Sequence, residues 1–357
     1  MTGGAPLTLT RYRHVREALN DPRLVIHKPL AVGDEASHLA MATSAATSGA
    51  RSHRISPLRQ VLAQNLSSRA IVPSAGFIEQ AVDRIVTAAQ ARGGLEAVAD
   101  LAYPLPVMVM ADLFGLPADD PAPLRPLFEA ITRGHDMGAG ERDRQHARLA
   151  QAALIRWLGP RLRRARPTPL LEAVQAIADA QGGGPEAGGY WCMMLLYAGS
   201  ATTRDLIANA IGLLLDHPDA ARRLADDPAV LETAIEEILR FDGPVRGIGR
   251  VATERLTLGD THTVEPGDLV YLMLADANRD PDHFAEPDRF DLTRTPNPHL
   301  AFATGVTHCL GAHLARLEGR IVLERLRPLL PDLTARGPAD WSTVRLLRQR
   351  NTLHLSF

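Results

Sequence analysis

The stretch "YWCMMLLYAGSATTRDLIANAIGLLLDHP", residues 190–218, constrains the fold more than any other part of the chain. It is apolar on most faces of a helix, and such a helix must be covered by protein nearly all round. Its length predicts a helix of roughly six or seven turns at the centre of the fold. A central helix needs a large shell, and 357 residues, 45% of them hydrophobic, can supply one.

The shell reads as mainly helical. The 3.6 period recurs in "TRYRHVREAL", "ISPLRQVLAQNL", "GFIEQAVDRIVTAAQA" and "PAVLETAIEEILRFDGP", and in segments 121–137 and 142–166, joined by "MGAGE". "AYPLPVMVMADLFGLP" is apolar nearly all round, as a buried helix would be. Residues 30–53 lack a firm period and read as a loop or weak helix. Strand signals gather only in 246–272 and 331–357. The expectation is one domain, 1–357, mainly α with a small β portion in those two segments.

A net charge of -2 argues against a nucleic-acid binder driven by bulk charge. No eighteen apolar residues run together, and "MTGGAPLTLTRYRHVREAL" carries no apolar targeting segment. A soluble cytoplasmic protein without a membrane partner is expected. Two cysteines, Cys192 and Cys309, do not make a disulfide framework.

Cys309 sits in "FATGVTHCLGAHLARLE", at the start of a helix expected over about 309–330. Unpaired N–H groups and the helix dipole there would favour a thiolate. Gly305 lets the preceding loop turn tightly, and Gly311 keeps the first turn slim. A thiolate on a slim helix start, beneath a flat aromatic group, is a haem-thiolate arrangement. Two alternatives stand beside it: an inert buried thiol, and a zinc ligand paired with His313 four residues on. Elsewhere, "EEILR" puts Glu237 and Arg240 on one helix face, which alone reads as a solvated surface pair. "PDRF" supplies Arg289. "AGSATT", 198–203, places small residues and hydroxyls midway along the central helix, suiting close packing or a threonine bonded back to its own turn.

Taken in order, "AGSATT", "EEILR", "ANRDP", "PDRF" and "FATGVTHCLG" resemble the motifs of a cytochrome P-450 of the soluble bacterial kind, and the resemblance covers nearly the whole length. It implies the helix-rich triangular prism of that family, with the long central helix over haem b. Cys309 would be the proximal iron ligand, whose electron donation favours O–O cleavage. Phe302, Gly305 and Gly311 would shape its loop. Arg59, in "SPLRQVL", and Arg250, in "GIGRVATE", would bind propionates, a role suited to the guanidinium fork. Glu237, Arg240 and Arg289 would form a structural ion-pair triad. Ala198, Gly199, Thr202 and Thr203 would line the distal oxygen pocket, with Thr202 helping protons to arrive. Arg246, Val245, Ile248 and Met194 would meet substrate, while Trp191 and Tyr197 read more as core. The resemblance also implies oxidation of a small-molecule or peptide natural-product intermediate, free or bound to a carrier protein. Electrons would come from a ferredoxin and its reductase, docking near Cys309 with Arg316 and Arg320 as contacts.

The sequence departs from the family pattern at four places. Ala201 stands where an acid usually precedes the threonine, and Ala303 where a glycine follows Phe302. Thr307 and Ile55 stand where propionate partners are usual, leaving His53 and His308 as candidate substitutes. The missing acid suggests oxidative coupling or hydroxylation with substrate-assisted protonation. The alternative is a catalytically inactive partner-binding module.

Overall fold

In a computed structural model, the structure describes residues 6–26, 57–118, 121–180, 183–259 and 261–357. The reading of 30–53, with His53 and Ile55, falls outside them. The longer helices of the first half are α1 (Tyr12–Asn20), α2 (Pro57–Asn65), α3 (Ser74–Arg92) and α4 (Pro104–Leu113). Next come α5 (Arg125–His135), α6 (Glu141–Leu162) and α7 (Pro169–Ala180). The long apolar stretch lies in α8, Gly184–Asp216, of 33 residues. That is about nine turns, longer than the sequence pattern suggested, because "GPEAGG" joins the helix instead of breaking it. After it come α9 (Pro218–Asp226), α10 (Leu231–Asp242) and α11 (Ala312–Leu326).

Helix α8 packs against α4, α6, α7, α10 and α11, so its neighbours surround it and satisfy its apolar faces. The main core cluster forms about it, including Tyr190, Trp191, Leu196, Leu206 and Leu214. A second cluster lies around the main sheet and α1.

The strands are short. In chain order they begin with β1 (Leu7–Leu9), β2 (Leu24–Ile26), β3 (Leu95–Glu96) and β4 (Ile248–Ala252). β5 (Leu256–Leu258) and β6 (His262–Val264) pair antiparallel with each other, and β7 (Leu269–Leu272) follows. The main sheet has the order β1-β7-β4-β2. β1 runs parallel to β7, with Leu7 opposite Val270, and β2 runs antiparallel to β4. A second sheet joins β3 to His354–Ser356 and Thr334–Ala335. Strands therefore occur in 246–272 and 331–357 and also at β1, β2 and β3. These three have two or three residues each, too few for a period to appear, and long-range partners hold them in place.

Candidate active site

A cavity of about 700 Å³ opens beneath the middle of α8. Ala198, Ala201, Thr202 and Thr203 face it from the helix, Cys309 and Phe302 from the loop before α11, and Arg250 from β4. Small side chains on this face of α8 leave room below the helix.

The loop brings the thiol to the cavity by backbone bonds. The Cys309 N–H donates to the Phe302 carbonyl at 2.9 Å, and that of His308 to Gly305 at 3.1 Å. Helix α11 begins at Ala312 with Gly311 as its N-cap, so Cys309 lies just before the helix, not within its first turn. A β-carbon on Gly311 would stand 3.9 Å from Sγ. Gly305 has φ +64, so glycine is needed for its conformation, and a β-carbon there would also push the exposed Asn20 side chain of α1 aside.

The sequence favoured a thiolate at this position, and the structure gives a more divided answer. Burial pushes the Cys309 thiol up, against the N–H groups of Gly311 and Ala312 and the charges of Arg59 and Arg316. The protein packed about the loop outweighs these groups, although Cys309 stays exposed to the open cavity. The other cysteine, Cys192, is buried in α8 and pushed up to about 12, the condition of an inert core thiol. Among the described residues, no three His, Cys, Asp or Glu side chains gather as a metal-ion cage.

Arg250 is 4% exposed, and burial lowers its pKa to about 10. Its Nη1 donates to the Gly249 carbonyl at 3.2 Å and its Nη2 to the Thr307 hydroxyl at 3.4 Å, and its Nε has no partner among the described residues. A buried guanidinium with no ion pair among the described residues is costly unless an anion completes it. Arg59 approaches from α2, donating to the His308 carbonyl beside Cys309. Burial lowers its pKa, against the pull of Cys309. The His308 side chain is exposed and does not line the cavity. A thiol, a roomy space and the buried Arg250 guanidinium, with Arg59 beside the thiol's loop, fit a planar, dianionic metal cofactor.

Glu237 and Arg240 form a structural pair, not the surface pair that "EEILR" alone suggests: both are wholly buried and joined in a two-point contact at 2.8 Å. The third member of the expected triad needs correction. The arginine that completes the triad is Arg294, whose Nε lies 3.2 Å from Glu237. Arg289 instead pairs with Glu286 at 3.0 Å on the surface and gives the network only its carbonyl. The path of the chain decides this. The Asp291 N–H donates to Glu237 at 2.9 Å, which turns Arg294 inward and leaves Arg289 outside.

The distal expectations divide in the same way. Thr202 lines the cavity, and its hydroxyl donates back to the Ala198 carbonyl at 3.0 Å. Thr203 and Ala198 line it too. Gly199 does not: it faces α4, where a β-carbon would meet Met110 Sδ at 2.8 Å. Its smallness serves helix packing. Val245, Ile248 and Met194 line the cavity, but Arg246 is exposed outside it. Val245 and Ile248 take the inward places of this segment, leaving Arg246 to solvent. The cation at the cavity wall that sequence reasoning missed is Arg144 of α6, which lies inside a helical pattern giving no sign of its direction. Tyr197 also lines the cavity, with its hydroxyl 2.9 Å from that of Thr132, while Trp191 stays in the core. Arg316 is engaged within the chain. It pairs with Glu236 at 2.6 and 2.8 Å and stacks 4.5 Å from the Phe302 ring centre. Arg320 pairs with Glu324.

Comparison with known proteins gives this geometry its family. The family model described as Cytochrome P450 matches residues 190–326. The Vitamin D(3) 25-hydroxylase of Pseudonocardia autotrophica is 33% identical over 91% of this chain and 80% of its own length. The Biotin biosynthesis cytochrome P450 of Bacillus subtilis (strain 168) is 31% identical over 72% of this chain, which spans 66% of that relative's length. The solved structure of P450BioI in complex with hexadec-9Z-enoic acid ligated Acyl Carrier Protein superposes with a TM-score of 0.85. It is 27% identical, covering 98% of this chain and 92% of that one. The chain belongs to the cytochrome P450 family, has its fold and is an oxidoreductase. The family carries a haem-iron cofactor. Among the described residues, no helix is long and apolar enough to cross a membrane.

Proposed function

We propose that this chain oxidises a largely apolar natural-product intermediate, using haem b held by Cys309, Arg59 and Arg250. The observation that carries the reading is the convergence of the Cys309 thiol, the buried Arg250 guanidinium with its partnerless Nε and the Thr202 hydroxyl on one cavity. When bound, haem supplies redox chemistry with dioxygen, and a metal ion would draw the thiol into its thiolate form. The protein's own residues do the rest. Arg250 and Arg59 neutralise the cofactor's carboxylates, with Thr307 as a hydroxyl partner. Phe302 and Gly305 fix the loop that carries Cys309. Thr202 and Thr203 hold and pass protons at their Oγ1 atoms.

The substrate lies against Val245, Ile248, Met194 and Tyr197, with a polar or anionic end at Arg144. A carrier protein presents it, a reading supported by the acyl-carrier-protein complex of the structural neighbour. Electrons come from a ferredoxin and its reductase. With Ala201 beside Thr202, the reaction is oxidative coupling or a hydroxylation in which protons come from elsewhere than position 201. The reading of an inactive partner-binding module draws no support from a cavity where thiol, hydroxyl and buried cation meet.

The deciding measurement is the reduced absorption spectrum with and without carbon monoxide. The long-wavelength Soret band of a thiolate complex, lost in Cys309→Ala, is expected. A haem-free protein after careful reconstitution would overturn the reading. Labelled dioxygen then separates the two reactions: label in the product refutes coupling.

A further inference from the structure

Asp205 is fully buried in the central helix, at 0% exposure. Neither carboxyl oxygen has a well-formed hydrogen bond among the described residues, and only the Gln349 amide and Arg204 are near enough to favour its charged form. Its nearest charge is the buried Arg204, with Nε 3.4 Å from Oδ1, and the Gln349 amide lies beside it. Positions 201 and 205 are one turn apart on one face of α8, and Tyr197 lies one turn the other way. Ala201 and Tyr197 both line the cavity. The helix therefore lacks an acid beside Thr202 and buries one a single turn further along the same face.

Around Asp205 runs a seam of buried polar atoms. Among the described residues, Ser200 Oγ and Asn209 Oδ1 on α8 have no hydrogen-bond partner, nor has Arg350 Nε on the facing C-terminal segment, while Arg204 Nε and Gln349 Nε2 have none beyond their loose approach to Asp205. The two sides are tied across: Arg204 donates to the Arg350 carbonyl at 2.7 Å, and Asn209 to that of Arg348 at 2.7 Å. Such rows of unmatched donors and acceptors are where proteins keep internal water. The far end reaches solvent, since Arg350 Nη2 lies 3.6 Å from the exposed Asp216.

We propose that Asp205 supplies the acid function that position 201 lacks, acting through Thr202 as a proton-relay residue for the reaction in the cavity. The proposal rests on the catalytic reading above. Asp205 gives its proton toward Thr202 Oγ1, which passes one on into the cavity and remains a neutral hydroxyl. The carboxylate left behind takes a proton from solvent through the seam. Asp205 acts through another side chain, so it is a positioning residue. Its environment suits a relay, because burial raises its pKa to about 7, against Arg204 and Gln349, and both forms are populated near neutrality. The charged or titratable groups facing it are Arg204 and Tyr197 on its own helix. On the facing segment, the Arg350 guanidinium lies two turns along, over Gly212.

The test uses the intact holoprotein with a surrogate ferredoxin system, without added substrate. The readout is hydrogen peroxide released per NADPH consumed: oxygen that takes two electrons and two protons leaves as hydrogen peroxide, whereas well-placed proton delivery lets it take four of each and leave as water. Asp205→Asn is expected to raise peroxide release, slow turnover by about tenfold or more and abolish a pH dependence centred near neutrality. Adding Ala201→Glu to Asp205→Asn should restore both. A second readout needs no turnover. The infrared spectrum of the resting protein should show a protonated carboxyl band that titrates near neutral pH and vanishes in Asp205→Asn. It should persist in Glu318→Gln, which removes another wholly buried carboxyl whose pKa burial raises.

Wild-type peroxide yield and pH profile in Asp205→Asn, with the Soret band intact, would overturn the proposal. So would the absence of the titrating band. If Asp205→Asn does not retain haem, Asp205→Ser repeats the comparison with a smaller side chain. A wild-type protein without a thiolate spectrum would instead overturn the catalytic reading, and the relay would fall with it.

Discussion

Arg294 reaches Glu237 at 3.2 Å with a side chain only 13% exposed, whereas Arg289 meets Glu286 with a side chain 62% exposed. The two arginines are five residues apart and occupy opposite electrostatic regimes. Arg294→Ala leaves a buried carboxylate short of a cation and removes bonds to the Ala285, Glu286 and Arg289 carbonyls. A loss of about 3 kcal/mol is expected. Arg289→Ala breaks an exposed pair and should cost under about 0.5 kcal/mol. Urea unfolding of the two variants checks the assignment, and equal losses would refute it.

Ala303 holds φ at +55, in the left-handed region. That conformation costs a non-glycine residue about 1–2 kcal/mol, and glycine's extra freedom in the unfolded chain offsets roughly 0.5–1 of the gain from replacement. Ala303→Gly should therefore stabilise the protein by about 0.5–1 kcal/mol, and Ala303→Val should destabilise it. Thermal unfolding midpoints report both signs.

Glu236 carries a pH dependence of defined sign. Burial favours its acid form, but Arg316 and His299 overcome this and hold its pKa at about 2. A depressed carboxyl stabilises the fold above its ordinary titration range, and that stability is lost as pH falls from about 4.5 through about 2. With the side chain 30% exposed, screening reduces the contribution to roughly 1–2 kcal/mol. Urea midpoints measured against pH should fall less steeply over this window in Glu236→Gln than in wild type.

Arg250 gives a prediction about the cofactor. Arg250→Ala removes a buried charge-assisted partner worth about 1.5–3 kcal/mol. Haem should transfer to apomyoglobin roughly 10- to 100-fold faster than from wild type. Unchanged transfer would remove Arg250 from the propionate role.

What could be read from the chain in advance divides by the range of the signal. The order of "AGSATT", "EEILR" and "FATGVTHCLG" is local and predicted both family and fold. The central helix followed from its apolar faces alone. What escaped depended on chain path or packing. Arg289 and Arg294 look alike until the Asp291 N–H fixes which one turns inward. Arg246 looked like a substrate anchor until Val245 and Ile248 were found to hold the inward places. Gly199 looked catalytic until α4 was found to cross it at Met110. The Cys309 thiol was expected to be anionic from its place near a helix start, but the protein packed around its loop pushes the thiol up. Asp205 carried no motif and drew notice only once both its oxygens proved to be enclosed.

The Glu237 network has a kinetic consequence for the segment it grips. Residues 278–300 contain no strand or helix, yet Arg240 binds the Asn278 and Pro287 carbonyls, Glu237 accepts from the Asp291 N–H and Asn278 accepts from that of Leu300. Loop amides usually exchange with solvent by local opening. Here the Asp291 amide hydrogen is released only by leaving the buried Glu237 carboxylate, and that of Leu300 only by leaving the buried Asn278 side chain. They should exchange in deuterated water as slowly as the interior of α10, so that an irregular stretch of chain opens in step with a helix.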